Sequence, residues 1–84
     1  MHLKLKLYAG LEQYLPRNAQ NNTVRIDINQ EATVNSVIQR YNLPAGMAHL
    51  VLLNGIYVNP EQRDSLNVFR EGDTLAIWPP VAGG

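Results

Sequence analysis

The most informative segment of the chain is VLLNGIYV, residues 51–58. Two short runs of aliphatic, β-branched and aromatic residues, which favour strands, flank the pair Asn54-Gly55. Asn and Gly both tolerate a positive φ angle, which the two central positions of a type I′ turn require. The segment therefore predicts a β-hairpin with strands at 51–53 and 56–58.

Two more strands are predicted before this hairpin. Leucines occupy every second position near the N-terminus and alternate with His and Lys, which predicts a strand with one buried face over residues 2–8. A short helical turn over 8–16 and a polar loop over 18–22 follow. Apolar residues alternate again over 23–28, which predicts a second strand antiparallel to the first.

One amphipathic helix is predicted between the second strand and the hairpin. Thr33 is a suitable N-cap, because its hydroxyl can accept a hydrogen bond from a free amide of the first turn. Apolar residues then follow at the three-and-four spacing that forms one helix face: Val34, Val37, Ile38 and Tyr41. Leu43-Pro44 ends the helix, since proline lacks an amide hydrogen and disfavours a helical residue before it.

The last predicted strand leads directly into the C-terminal segment. Glu71-Gly72-Asp73 forms a turn, residues 74–78 alternate, and Pro79-Pro80 prevents further ladder pairing. A helix laid across one face of a mixed sheet buries the apolar side chains of such a chain, which is the β-grasp arrangement. We predict an α+β, ubiquitin-like β-grasp domain over residues 1–78, with about five strands on one main helix, and a projecting tail over 79–84.

Composition excludes several classes of protein. Seven basic residues balance seven acidic ones without a basic run, so nucleic acid is not an expected partner. The chain has no cysteine, which excludes disulfides, thiolate catalysis and Cys-based metal sites, so any sulfur must be held elsewhere. Lys4 and Lys6 interrupt the apolar N-terminal residues, unlike a signal peptide or membrane span. We expect a cytoplasmic protein that does not bind membranes.

Side-chain catalysis is not indicated. His2 and His49 lack the spacing of metal ligands, and no motif around Ser36 or Ser65 suggests an activated nucleophile. No glycine-rich phosphate-binding motif is present. We therefore expect no catalytic side chain, no metal site and no bound cofactor in the domain.

The C-terminal residues are where chemistry is expected. The chain passes through Pro79-Pro80 into Val81-Ala82-Gly83-Gly84. A terminal glycine pair also arises by chance in a frayed tail. Glycine nevertheless suits a reacting terminus, because the missing Cβ leaves the carbonyl open to attack and lets the tail enter a narrow channel. The ionised α-carboxyl group of Gly84 can attack the α-phosphate of ATP, which gives an electrophilic acyl-adenylate.

Five segments carry a resemblance to a known family. Four of them lie at the end of the first strand, at the helix start, in the hairpin and before the last strand: Leu7-Tyr8-Ala9-Gly10-Leu11, Thr33-Val34, Leu53-Asn54-Gly55 and Glu71-Gly72-Asp73-Thr74-Leu75. The most specific is Pro79-Pro80-Val81-Ala82-Gly83-Gly84, which is similar to a family's terminal signature. Over almost its whole length the chain resembles the MoaD/ThiS sulfur carriers, and the MoaD branch most.

The resemblance implies chemistry that spacing alone does not show. A ubiquitin-activating-enzyme-like adenylyltransferase would activate the tail with ATP and magnesium, and sulfur transfer would then form a glycine thiocarboxylate. In the MoaD branch the acceptor is the large subunit of molybdopterin synthase, which receives the inserted tail and puts dithiolene sulfur into the pterin precursor. Gly84 would hold the sulfur and Gly83 would give access. The partner enzymes would recognise the tail through Pro79, Pro80, Val81, Ala82 and Gly83.

Three other functions stay open at this point. The same activated Gly84 suits a ubiquitin-like modifier that is passed to a lysine of another protein. A carrier for thiamine synthesis shares the same first steps. The domain is also compatible with a noncovalent interaction module, in which a sheet face or an edge strand binds a partner through Phe69, Trp78 and Val81. Ordinary core packing is the simpler interpretation of Phe69 and Trp78.

Overall fold

Five strands and one α-helix make up the part of the chain that the computed structural model describes, residues 1–81. Ala82, Gly83 and Gly84 lie outside the described residues. The elements are, in chain order, β1 (His2–Leu7), β2 (Thr23–Asp27), α1 (Val34–Arg40), β3 (Leu50–Leu53), β4 (Ile56–Tyr57) and β5 (Asp73–Trp78). Short 3₁₀ turns occur at Leu11–Tyr14, inside the predicted helical turn, and at Pro60–Gln62.

The strands form a single mixed sheet in the order β2-β1-β5-β3-β4. β1 runs parallel to β5, and the other neighbouring pairs are antiparallel. The predicted antiparallel pairing of the first two strands is confirmed, as is the α+β, β-grasp fold with one helix on a five-stranded sheet. The C-terminal strand β5 therefore lies in the middle of the sheet, with β1 on one side and β3 on the other.

The hydrophobic core lies between the sheet and α1. In β1 the leucines point inward and are fully buried, while Lys4 on the opposite face is exposed. Strand partners in register share a face, so Leu5 and Leu7 continue into Leu75 and Ile77 of β5, which are also fully buried. Each such side chain contributes roughly 1.5–3 kcal/mol on burial. The period-two pattern of the sequence thus specifies which side of the sheet the helix covers.

The N-terminus of α1 confirms the predicted cap. The Thr33 hydroxyl oxygen accepts from the Ser36 amide at 3.0 Å, and the Ser36 hydroxyl oxygen accepts from the Thr33 amide at 2.8 Å. This reciprocal pair is a capping box, with Ser36 in the position that Glu or Gln more often occupies. Ser36 therefore has a structural role at the helix start.

The C-terminus of α1 differs from the prediction. The helix ends at Arg40, before the expected stop at Leu43-Pro44, because Asn42 adopts a left-handed conformation with φ of 59°. The Asn42 amide donates to the Gln39 carbonyl at 3.0 Å, and the Leu43 amide donates to the Ile38 carbonyl at 3.3 Å. These two bonds form a Schellman motif, which closes the last turn before the proline is reached.

The predicted hairpin is confirmed at β3 and β4. Asn54 and Gly55 have φ angles of 51° and 81°, as a type I′ turn requires. The Asn54 side chain also joins the turn to β5, since its amide donates to the Asp73 carboxylate and its oxygen accepts from the Thr74 amide, both at 2.9 Å. β4 contains only Ile56–Tyr57, so it is one residue shorter than predicted.

Candidate functional site at the end of the central strand

The chain leaves the sheet at the C-terminal end of β5. Trp78 is its last paired residue, and Pro79 after it is half-buried. Pro80 and Val81 are exposed, Val81 with 81% of its surface accessible. Three of the predicted tail-recognition residues thus lie here. The remaining two, Ala82 and Gly83, and the predicted attachment residue Gly84 fall outside the described residues.

The root of the tail is held from both sides. On one side the Tyr8 amide donates to the Ile77 carbonyl at 3.1 Å. On the other side the His49 amide donates to the Trp78 carbonyl at 3.1 Å, and Leu50 pairs with Trp78 in register. Because the two neighbouring strands anchor the end of β5, the tail starts from a fixed position in the middle of the sheet.

Trp78 stacks on Tyr8 beside this point. The two ring centroids are 4.3 Å apart and the ring planes differ by 5°. Both side chains are half-buried, and Trp78 lies on the sheet face opposite the helix, because Ile77 points into the core. Trp78 is therefore available to a partner. Phe69, in contrast, is only 4% exposed and belongs to the core, so it cannot form part of a binding surface.

The outer face of the sheet, opposite α1, has an apolar half. Leu50 lies opposite Trp78 in the β3–β5 ladder, and Leu52 is paired with Ala76 on one side and Tyr57 on the other. Leu50 and Tyr57 are 39% and 50% exposed. Exposed apolar side chains that lie together on one face are a candidate interaction site. We call this set the apolar half; it consists of Leu50, Leu52, Tyr57, Ala76 and Trp78.

The sheet edges are poorly suited to adding a strand from a partner. At one end of β2, Gln20 and Thr23 bond to each other through their backbones. At the other end, the Arg40 guanidinium donates to the Asp27 carbonyl at 2.6 Å, which occupies an outward-facing acceptor. β4, the opposite edge, has only Ile56–Tyr57. Short and occupied edges discourage edge-to-edge pairing, so the outer face is the better candidate for binding.

Arg63 supports the segment next to the tail root, a role that the sequence did not indicate. Its side chain is buried, and the guanidinium donates to the backbone carbonyls of Ala48 at 2.7 Å, His49 at 3.1 Å and Val58 at 3.3 Å. The same His49 residue donates its amide to Trp78. An isolated arginine in a loop carries no local pattern that would predict these contacts.

A groove of about 500 Å³ lies at the opposite end of β5, between the hairpin and the segment before the last strand. Asn54, Tyr57, Ser65 and Asp73 are among its lining residues. Tyr57 is the one member of the apolar half that contributes to it. The groove is separate from the tail root, so we do not assign it to the tail chemistry.

The histidines and serines considered in the sequence occupy structural or surface positions. The imidazole of His2 lies between two carboxylates, with Nε2 2.7 Å from Asp27 Oδ1 and Nδ1 3.2 Å from Glu71 Oε2. The His2 amide also donates to Glu71, which is the largest cause of a lowered pKa for that carboxyl group.

Within residues 1–81, no three His, Asp or Glu side chains converge as metal ligands, and no helix is long and apolar enough to cross a bilayer.

Comparison with solved structures shows the same fold in three other proteins of similar length. SAMP1 from Haloferax volcanii is 26% identical over all of both chains, with a TM-score of 0.66. A chain from the complex of subunits 1 and 2 of molybdopterin-converting factor from Helicobacter pylori is 15% identical over all of both chains, with a TM-score of 0.58. A Pyrococcus furiosus protein described as molybdopterin converting factor subunit 1 is 22% identical over 95% of this chain and 98% of its own, with a TM-score of 0.65.

Comparison of sequences gives the family. No curated protein matches the chain. The profile of the Mut7-C ubiquitin family, in contrast, matches residues 1–82. Together with the structural similarities, this match confirms the resemblance to the MoaD/ThiS family in its ubiquitin-like fold. Because the profile spans nearly the whole sequence, the chain belongs to the Mut7-C ubiquitin family.

Proposed function

We propose that this protein is a sulfur carrier that works through the carboxylate of Gly84. The observation that carries the proposal is the position of the tail root: the central strand ends at Trp78, and Pro80 and Val81 after it are exposed and unpaired in the sheet. Gly83-Gly84 follows within three residues. The domain supplies a rigid support and a recognition surface, and the reacting atoms are those of the terminal glycine.

The proposed reaction has two steps on a partner adenylyltransferase. A Gly84 carboxylate oxygen first attacks the α-phosphorus of ATP, with magnesium bound to the nucleotide, and pyrophosphate leaves. A hydrosulfide ion from the sulfur donor then attacks the acyl carbon of the adenylate, and AMP leaves with the former carboxylate oxygen. The product is a Gly84 thiocarboxylate. No cysteine is needed in the carrier, in agreement with its composition.

We propose a molybdopterin synthase large subunit as the acceptor of this sulfur. The support is similarity of fold to a chain from the complex of subunits 1 and 2 of a molybdopterin-converting factor, and to a protein described as molybdopterin converting factor subunit 1. In the present chain, the apolar half adjoins the tail root through Leu50 and Trp78. A partner that takes up the tail would contact this surface at the same time.

A second candidate function is covalent modification of other proteins. SAMP1, a small archaeal modifier protein, is 26% identical to this chain over its whole length. In that use the amino group of a lysine would attack the acyl carbon of the Gly84 adenylate, AMP would leave, and an isopeptide bond would form. Both functions share the activation step, and they differ in the nucleophile that follows.

The test is mass spectrometry of the untagged protein after incubation with ATP, magnesium, a purified adenylyltransferase of the ubiquitin-activating type and a sulfur donor. We expect the mass to rise by the difference between one sulfur and one oxygen atom, located on Gly84 by fragmentation. A Gly84 adenylate that reacts with lysine side chains but never with the sulfur donor would favour the modifier function instead.

Two controls make this measurement specific. Oxidation of a methionine adds one oxygen atom, which is close in mass to the expected change, and Met1 and Met47 are each 37% exposed. Fragments that cover residues 79–84 contain no methionine and remove this ambiguity. A variant with one alanine appended after Gly84 should fold normally and gain no sulfur. Full conversion of that variant would contradict the proposal.

A further inference from the structure

The outer face of the sheet has a basic half beside the apolar half. Lys4 and Lys6 of β1 and Arg25 of β2 lie on this face, since the intervening residues of both strands are buried on the helix side. Lys6 pairs in register with Ala76 of the apolar half. We call Lys4, Lys6 and Arg25 the basic stripe. The two halves together form one continuous surface that reaches the tail root.

Two of these cations oppose each other directly. Lys4 pairs with Arg25 in the β1–β2 register. Met1 and Ile28 exchange hydrogen bonds at 2.9 and 2.8 Å, so the alternating pattern makes Lys4 and Arg25 a non-hydrogen-bonded pair, in which side chains come closest. Like charges placed directly opposite destabilise a sheet. The arrangement therefore has a cost for folding.

The fold does not neutralise this charge. Among the described residues, the ion pairs centre on His2, which contacts Asp27 and Glu71, and no carboxylate pairs with a member of the basic stripe. Asp27, the acidic side chain on the same face of β2, is engaged by the His2 imidazole at 2.7 Å. An unneutralised cluster on an otherwise balanced chain indicates an anionic partner.

We propose that the basic stripe docks onto an acidic surface of the adenylyltransferase that activates Gly84. This inference rests on the proposed function. Activation precedes both sulfur transfer and protein modification, so the partner is the same for both candidates. An enzyme that draws in the tail lies against the face around Trp78, and opposite charges there steer association and fix the orientation of the complex.

The test is ATP–pyrophosphate exchange by the adenylyltransferase with the carrier as the varied substrate. Lys4→Gln/Arg25→Gln should raise the KM for the carrier about 5- to 10-fold at low ionic strength without changing kcat, and the difference should fall to about twofold or less at high salt. The melting temperature of this variant should rise by about 2 °C, because the opposed cations are gone. A higher KM in a more stable protein cannot come from misfolding.

A matched control separates the stripe from net charge. Gln30→Glu/Gln39→Glu lowers the net charge by the same two units at exposed positions before and on α1, and should leave the KM unchanged. If the KM rose equally in both double variants, or rose in neither, the inference would be overturned. The proposed function would not be affected by either result. If the wild-type chain supports no exchange, the proposed function fails and the inference fails with it.

The same variants test whether the basic stripe binds a nucleic acid instead of the adenylyltransferase. Binding of a fluorescein-labelled single-stranded oligonucleotide should be undetectable at physiological salt by fluorescence anisotropy. Suppose instead that the wild-type chain binds the oligonucleotide, that Lys4→Gln/Arg25→Gln abolishes this binding, and that the KM for exchange is unchanged. That result would show that the basic stripe binds nucleic acid, and it would overturn docking to the enzyme.

Discussion

Within residues 1–81, Arg63 is the one buried charged side chain, and its guanidinium holds three backbone carbonyls without a carboxylate partner. Lysine at this position keeps the charge but cannot present the planar fork of donors. We expect Arg63→Lys to lower the free energy of unfolding by about 1–2 kcal/mol, and Arg63→Met by about 2–4 kcal/mol, since carbonyls would lose their donors. Urea denaturation monitored by Trp78 fluorescence gives both values.

Exposed Arg17 provides the comparison for this prediction. Arg17→Lys should change stability by no more than about 0.5 kcal/mol. If Arg63→Lys were equally harmless, the three carbonyls would be adequately solvated without the guanidinium, and Arg63 would not fix the segment beside the tail root.

At the level of elements, Glu71 links the turn before β5 to the start of β1. The backbone amide of His2 donates to Oε1 at 2.9 Å and lowers the pKa of Glu71 below its ordinary value of 4.5, with the His2 imidazole and the N-terminal charge adding to the effect. Because the folded pKa is depressed, the stabilisation is present above pH 4.5 and is lost as pH falls through the folded value. Glu71→Gln should therefore be less stable than wild type at pH 7, and the difference should disappear in acid.

Thermal unfolding of both proteins between pH 7 and pH 3 measures this convergence. Glu61→Gln, at an exposed position in the turn Pro60–Gln62, controls for the loss of one carboxylate. The melting temperatures of wild type and Glu71→Gln could instead run parallel down to the lowest pH. The hydrogen bond from His2 to Glu71 would then contribute nothing to stability.

The elements differ in how far the sequence predicts them. β1, the hairpin and the Thr33 cap follow from local patterns: alternation, an Asn-Gly pair and a hydroxyl before an apolar run. The end of α1 does not, because Asn42 in a left-handed conformation stops the helix before Pro44, and a single asparagine is a weak signal. The stacking of Trp78 on Tyr8 depends on the parallel pairing of β1 with β5. The paired residues are about 70 positions apart in the sequence, so no local pattern predicts this contact.

At the level of the whole molecule, the described core and the proposed chemistry occupy different parts of the chain. The buried hydrophobic residues lie between Leu3 and Ile77, and the last ladder residue is Trp78. The sequence predicts a division between residues 1–78 and 79–84 because Pro79-Pro80 prevents further ladder pairing, and the function proposed here requires this division. Stability should then be independent of the residues that react.

Deletion of residues 82–84 tests this separation. The shortened chain should melt within about 2 °C of the full-length protein, because no part of the described core is removed, and it should support no ATP–pyrophosphate exchange. Replacing Gly83-Gly84 by Ala-Ala keeps the length and restores a terminal carboxylate, so its exchange rate reports how far the missing Cβ atoms matter for entry into the enzyme. A large drop in melting temperature on deletion would mean that the last three residues pack against the domain, and a tail committed to the fold would be a poor substrate for an enzyme that must draw it in.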